Sequence, residues 1–152
     1  MALIADVRII IARDLSALQE EIRSTPDELL WVSTNGVINS VGTLAYHICG
    51  NLNHFIGHLL GNSDFIRDRD AEFNNFDLTK QELIDYIEFT KKTITESLNN
   101  LTEEKLENEM PSPPPRHQGR SIGFFLVQLC CHMSRHRGQL DYLRRIKIAE
   151  VK

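Results

Sequence analysis

Three things are scarce in this chain: cysteine, long apolar runs and positive charge. Each shortage removes a class of function. Seventeen Lys and Arg stand against 21 Asp and Glu, a formal net charge of −4. No global positive field therefore draws nucleic acid or an anionic membrane. A basic stripe with interleaved aromatics is also missing, and no nucleic-acid role is expected. No apolar run reaches the roughly 18–20 residues that a membrane span needs. The stretch MALIADVRIIIARDL meets Asp6, Arg8 and Arg13 too early for a signal peptide and has no small-residue cleavage site. The cysteines are Cys49, Cys130 and Cys131. An odd count with two adjacent suits reduced thiols in a cytoplasmic protein, and these side chains read as small buried apolar groups. No internal repeat and no low-complexity segment is found.

What is present is the balance of a soluble globular chain, 41% hydrophobic and 25% charged. Its 152 residues suit one domain, 1–152, around a single core.

The apolar pattern predicts four long helices and no strand. Ile4, Val7, Ile11, Leu15, Leu18 and Ile22 recur at spacings of three and four, giving a first helix over about Leu3 to Ile22. Thr25-Pro26-Asp27-Glu28 reads as a capping box opening a short turn that carries Leu29, Leu30 and Trp31. After an Asn35-Gly36 loop, Ser40 caps a second helix with the stripe Val41, Leu44, Ile48, Leu52, Phe55, Ile56 and Leu59. Gly61 is its expected stop, through a positive φ. Gly42, Gly50 and Gly57 each weaken this helix by about 1 kcal/mol relative to Ala, and close helix–helix approach is the expected compensation.

The connection from Asp64 to Phe73 alternates in sign, the pattern of a solvated face. Phe65, Ile66, Phe73 and Phe76 interleave with it and are expected to pack it down. Thr79 and Glu82 form a second capping box, opening a third helix through Leu83, Tyr86, Ile87, Thr90 and Ile94 to about Leu98. Thr102 is expected to cap a short helix ending before Met110. Pro111-Ser112-Pro113-Pro114-Pro115 is stiff and non-helical. Ser121 caps the fourth helix, which carries Ile122, Phe125, Leu126, Leu129, Met133, Leu140, Leu143 and Ile146. Four amphipathic helices of this kind predict an all-α fold, a four-helix bundle.

Six histidines are distributed over two of these helices and one loop: His47, His54, His58, His117, His132 and His136. His132 and His136 lie four apart, so their Cβ atoms stand roughly 5–6 Å apart on one helix and both imidazoles can reach one ion. A third ligand from another helix would complete a site inside a bundle. Met133 follows His132 where the zinc-peptidase signature requires Glu, which argues against that chemistry. On the second helix, His47, His54 and His58 share one flank, roughly 120° from the centre of its stripe, and spacing does not choose among them. His54 and His58 form a rival pair. His47 and His58, about 16 Å apart along the axis, cannot share an ion.

The segments Ser40-Val41-Gly42-Thr43-Leu44-Ala45-Tyr46-His47, Arg67-Asp68-Arg69-Asp70-Ala71-Glu72-Phe73 and His132-Met133-Ser134-Arg135-His136-Arg137-Gly138-Gln139 resemble the DinB/YfiT-like superfamily of metal-binding four-helix bundles. The likeness extends over nearly the whole chain, and the Arg67–Phe73 stretch is similar to an uncharacterised branch. The resemblance implies His47 as the second-helix ligand, beside His132 and His136. It leaves His54 and His58 to packing or the surface and His117 to a loop. It also implies one divalent metal ion, zinc or nickel, a homodimer, and a small-molecule substrate, with a low-molecular-weight thiol as co-substrate of a transferase.

Three neutral imidazoles would leave an ion an open position, unlike the four protein ligands of a closed structural site. Such a centre serves a thiol S-transferase or its relative, a metal-assisted hydrolase. A non-catalytic metal-binding bundle is the other reading, and it expects the open position to be sealed. Asp14, Asp141 and Gln139 are the candidates for orienting the ligand imidazoles.

Overall fold

The computed structural model describes residues 3–74 and 77–152, and the fold is all-helical. Helix α1 spans Leu3–Arg23. Helix α2 spans Val41–Leu52 and continues without interruption into a π-helical stretch, Asn53–His58. A short α3 covers Arg69–Asn74, α4 covers Lys80–Asn99 and α5 covers Ile122–Glu150. Single 3₁₀ turns lie at Asp27–Leu29, Glu103–Glu107 and Pro115–His117. Among the described residues there is no strand, only two isolated bridges. No helix there is long and apolar enough to cross a membrane.

The expected stripes face one core. All six α1 positions named above are buried, and α1 packs on α4 and α5. Helix α2 packs on α5 and α4 through Val41, Leu44, Ile48 and Leu52. On α5 the stripe is buried from Ile122 to Leu143, whereas Ile146 is exposed. Phe65 is half-buried as expected, but Ile66 points to solvent at 88% exposure. Phe76 lies outside the described residues.

Helix starts follow the sequence where a hydroxyl can reach a free N–H. Ser40 accepts from Thr43 N–H, Ser121 accepts from Phe124 N–H, and Thr79 with Glu82 closes a full capping box. Two expected caps do not form. Thr25 donates its hydroxyl back to the Glu21 carbonyl at 2.7 Å, because α1 offers that oxygen one turn away. Pro26 then stands before the 3₁₀ turn rather than inside it. Thr102 makes no side-chain cap either, and only a 3₁₀ turn follows it.

The end of the second helix also differs. Leu59 N–H bonds the His54 carbonyl and Gly61 N–H bonds the Ile56 carbonyl, both five residues back. The left-handed residue is Asn62, with φ 55°, not Gly61. Gly61 serves close approach instead: a Cβ there would run into the Ser97 hydroxyl on α4. Gly57 does the same against Thr93, so these two glycines set the spacing between the π-helical stretch and α4.

One buried carboxylate ties α1 to α5. Asp14, 1% exposed, accepts from Arg13 Nε (2.8 Å), Ser134 Oγ (2.9 Å) and Arg137 Nη1 (2.7 Å). Burial alone would raise its pKa, but these donors outweigh it and hold the carboxyl below its usual value. Its stabilisation is therefore present above the unfolded pKa, about 3.9, and is lost as pH falls through the lower folded value. Asp14→Asn is expected to cost about 1–3 kcal/mol at pH 7 and to flatten the acid limb of stability below about pH 4. Urea unfolding at pH 7 and in acid checks this, and equal acid limbs in the two proteins would contradict it.

Candidate metal centre

Three imidazoles from two helices meet beside α3. His132 and His136 lie one turn apart on α5, and their ring centroids are 4.4 Å apart. Across from them, His47 of α2 is buried and brings its Nε2 to 3.1 Å from His132 Nε2. The His47 and His136 centroids are 5.0 Å apart. One nitrogen from each of the three side chains lies within 4.8 Å of the others. An ion bound at about 2.0–2.1 Å by each of three tetrahedral positions needs nitrogens about 3.4 Å apart. The cluster is close to that spacing, so these residues could hold a metal ion with small side-chain adjustment.

Protons compete weakly for the two imidazoles on α5. Burial, followed by the neighbouring His136 and His47 and by Arg135 and Arg116, pushes His132 down to about 3. Burial also pushes His136 down, although its bond to Gln139 opposes the shift. Both rings therefore stay neutral at neutral pH, the form that binds a metal.

The far sides of two rings are held. His47 Nδ1–H donates to Glu72 Oε2 at 2.8 Å, and His136 Nδ1–H donates to Gln139 Oε1 at 2.8 Å. Each bond fixes the tautomer that puts the lone pair on Nε2, the atom turned to the other rings; in His47 it meets His132 Nε2. Glu72 is 2% exposed and also receives Arg67 in a two-pronged grip, Nε to Oε1 at 2.6 Å and Nη2 to Oε2 at 2.9 Å. Burial opposes its ionisation, but the bonds from His47 and Arg67 outweigh that, so its pKa falls below the usual range.

Gly50 makes room for this carboxylate. A Cβ at Gly50 would collide with Glu72 Oε1 and stand 2.8 Å from its Cδ. The expected close approach of another helix is met at Gly50 by α3, through the Glu72 side chain seated on the bare face. Gly42, similarly, lies under the Trp31 ring.

Of the three orienting candidates read from sequence, only Gln139 is in place. Asp14 is taken by Arg13, Ser134 and Arg137, and Asp141 pairs with Arg144 at 2.9 Å. Glu72 was not among them because it belongs to a charged run that reads as solvated. The run is in fact anchored: Phe73 packs on the His47 ring with centroids 5.0 Å apart, which turns Glu72 inward. The available signals were Gly50 inside an apolar helix and Phe73 next to Glu72.

The other histidines stay outside the cluster. His54 and His58 stack on each other, centroids 6.1 Å apart, on the π-helical stretch, and His58 Nδ1 contacts the Ser63 carbonyl at 2.7 Å. His117 sits on its 3₁₀ turn, ring-on-edge to Phe125 and accepting from Arg116 Nε at 3.0 Å.

A cavity of about 790 Å³ lies over the three imidazoles, walled by Phe55, Phe73 and the prolines at 113–115. A family model described as "Protein of unknown function (DUF1572)" matches residues 5–151, nearly the whole chain. The chain belongs to the DUF1572 family. No curated protein matches it.

The Gly50 seat gives a sharp test. Gly→Ala inside a helix ordinarily stabilises by about 1 kcal/mol. Here Gly50→Ala is expected to destabilise by about 1–3 kcal/mol, because the added methyl displaces a carboxylate held by Arg67 and His47. Metal affinity is expected to drop about 10–100-fold, although residue 50 touches no ligand nitrogen. Thermal unfolding and metal titration read the two effects. A variant that is more stable and binds metal equally well would contradict the seat.

Proposed function

We propose that this protein is a four-helix bundle of the DinB/YfiT-like type that holds one divalent metal ion, zinc or nickel, on His47, His132 and His136. On this reading it is a metal-dependent transferase that uses a low-molecular-weight thiol. The same reading includes a homodimer and a cytoplasmic location.

The observation that carries the reading is the cavity over the open face of the three imidazoles. A bundle that merely stored or stiffened itself with metal would have that face filled by a fourth ligand or sealed by packing. Instead, open space lies against His47, His132 and His136 together. Imidazole ligands carry no charge, so an ion bound there would keep its full Lewis acidity, which favours the deprotonated form of a thiol beside it.

The chain's own residues perform the remaining tasks. Glu72 and Gln139 hold the Nδ1 protons of His47 and His136 and keep their Nε2 atoms turned to the cavity. Phe55 and Phe73 give the cavity two aromatic walls. No cysteine of the chain can act as the thiol inside this cavity. Cys49 is buried with its pKa raised to about 12, and Cys130 is pushed up to about 11, burial being the first cause in both. None of the three cysteines lines the cavity. A sulfur nucleophile would thus be brought by a small molecule. A metal-assisted hydrolase uses the same residues and differs in taking water in place of the thiol.

Purified protein is expected to bind about one zinc or nickel per chain. His136→Ala and His132→Ala are each expected to lower affinity at least about tenfold, with the helical circular-dichroism spectrum retained. Metal analysis after dialysis against a weak chelator checks this. Metal retained equally by both variants would sink the assignment. Metal-loaded protein offered small thiols should bind at least one of them, and failure with every thiol would favour the hydrolase over the transferase.

A further inference from the structure

The lining of the cavity has a charge that the metal ligands do not explain. Among the described residues, four guanidiniums border it, Arg67, Arg69, Arg116 and Arg135, and no carboxylate does. This occurs in a protein whose formal net charge is −4. Arg67 is neutralised by Glu72 behind the wall. The other three come from three different places: Arg69 opens α3, Arg116 sits on the Pro115–His117 turn, and Arg135 lies between the two histidines of α5.

Arg69, Arg116 and Arg135 make no ion pair among the described residues. Two of them touch imidazoles and no carboxylate: Arg116 Nε donates to His117 Nε2 at 3.0 Å, and Arg135 Nη2 stands 3.4 Å from His132 Nδ1. The contrast on α5 is direct. Arg137 reaches Asp14 at 2.7 Å and Arg144 reaches Asp141 at 2.9 Å, so carboxylate partners are supplied to arginines facing away from the cavity. Three unpaired cations brought to one concavity repel each other, and an ion bound by neutral imidazoles would add to that field. A planar guanidinium offers paired donors that match the oxygens of carboxylate or phosphate.

We propose that the cavity takes a small anionic molecule, carrying carboxylate or phosphate, whose charged end is held by Arg69, Arg116 and Arg135 while its reacting end faces the three histidines. The proposal rests on the metal-dependent reading for the reacting end and on the arginines alone for the charged end. It names a substrate class: the thiol or its acceptor is an anion, and neutral or cationic molecules of the same size are discriminated against. The guanidiniums are binding and positioning groups, and their exposure lets them close on a ligand without disturbing the core.

The test uses cobalt(II)-loaded protein and two thiols of similar size, mercaptosuccinate with two carboxylates and 3-mercapto-1,2-propanediol with none. Binding is read from the sulfur-to-cobalt absorption band and by calorimetry. Mercaptosuccinate is expected to bind roughly tenfold or more tightly than the diol at low salt, with the advantage shrinking as salt rises. Arg116→Gln/Arg135→Gln is expected to abolish the advantage while still taking up cobalt. Equal affinity for the two thiols, or an advantage that survives in the double variant, would overturn the proposal. Competition by succinate and by glycerol 3-phosphate separates the two anion types, and displacement by neither also counts against it. Cobalt uptake is measured first, so that the two readings fail separately. If no cobalt binds, the metal reading fails, and succinate is titrated into the metal-free protein. Binding that the double variant loses upholds the arginine site, whereas binding by neither protein, or equally by both, overturns it.

Discussion

A carboxylate removed from water is stable inside a protein only if its oxygens are all engaged, and Glu72 meets that condition by joining three segments. Arg67 grips it from the loop before α3, His47 donates to it from α2, and the bare face of Gly50 gives it space. Much of the site follows from this contact. It fixes the His47 tautomer and, together with Phe73 on the His47 ring, holds α3 down over α2 at the cavity wall. Removing any one partner would leave a buried charge without compensation, which is why the contact acts as a unit rather than as separate bonds.

Electrostatics then divide the region into two layers. Behind the imidazoles, Glu72 and Arg67 cancel each other and Gln139 is neutral. In front of them, the unpaired guanidiniums face the open space. Of the histidines between the layers, His132 and His136 are pushed toward the neutral form, chiefly by burial. A layer of imidazole nitrogens between an internally balanced wall and a positive mouth is suited to holding a cation in place while attracting an anion to it.

The sequence made the scaffold legible wherever a local rule decides the structure. The six apolar positions of α1 and the hydroxyl caps at Ser40, Thr79 and Ser121 depend on periodicity and on one nearby N–H. Thr25 failed as a cap because an equally local acceptor, the Glu21 carbonyl, was available. The His132–His136 pair was visible for the same reason, since four residues on a helix have only one arrangement. His47 was not separable from His54 and His58 by spacing. The α-helical wheel assumes a constant turn, but the chain widens to π-helical winding at Asn53, and both rivals lie within that stretch. Glu72 was hidden because its inward turn depends on Phe73 meeting a ring 26 residues earlier in the chain, a tertiary contact that no local pattern encodes. The arginine lining was hidden likewise: residues 69, 116 and 135 converge only once α3, the proline segment and α5 are packed.

The central claim is that His47, His132 and His136 together hold one metal ion with a position left open. X-ray absorption of the zinc-loaded protein tests it most directly. The expected spectrum has three imidazole nitrogens at about 2.0–2.1 Å, with their outer-ring scattering, plus one further light atom from solvent or buffer that is replaced by sulfur when a thiol is added. A zinc shell containing sulfur before any thiol is added, or one with fewer than two imidazoles, would contradict it.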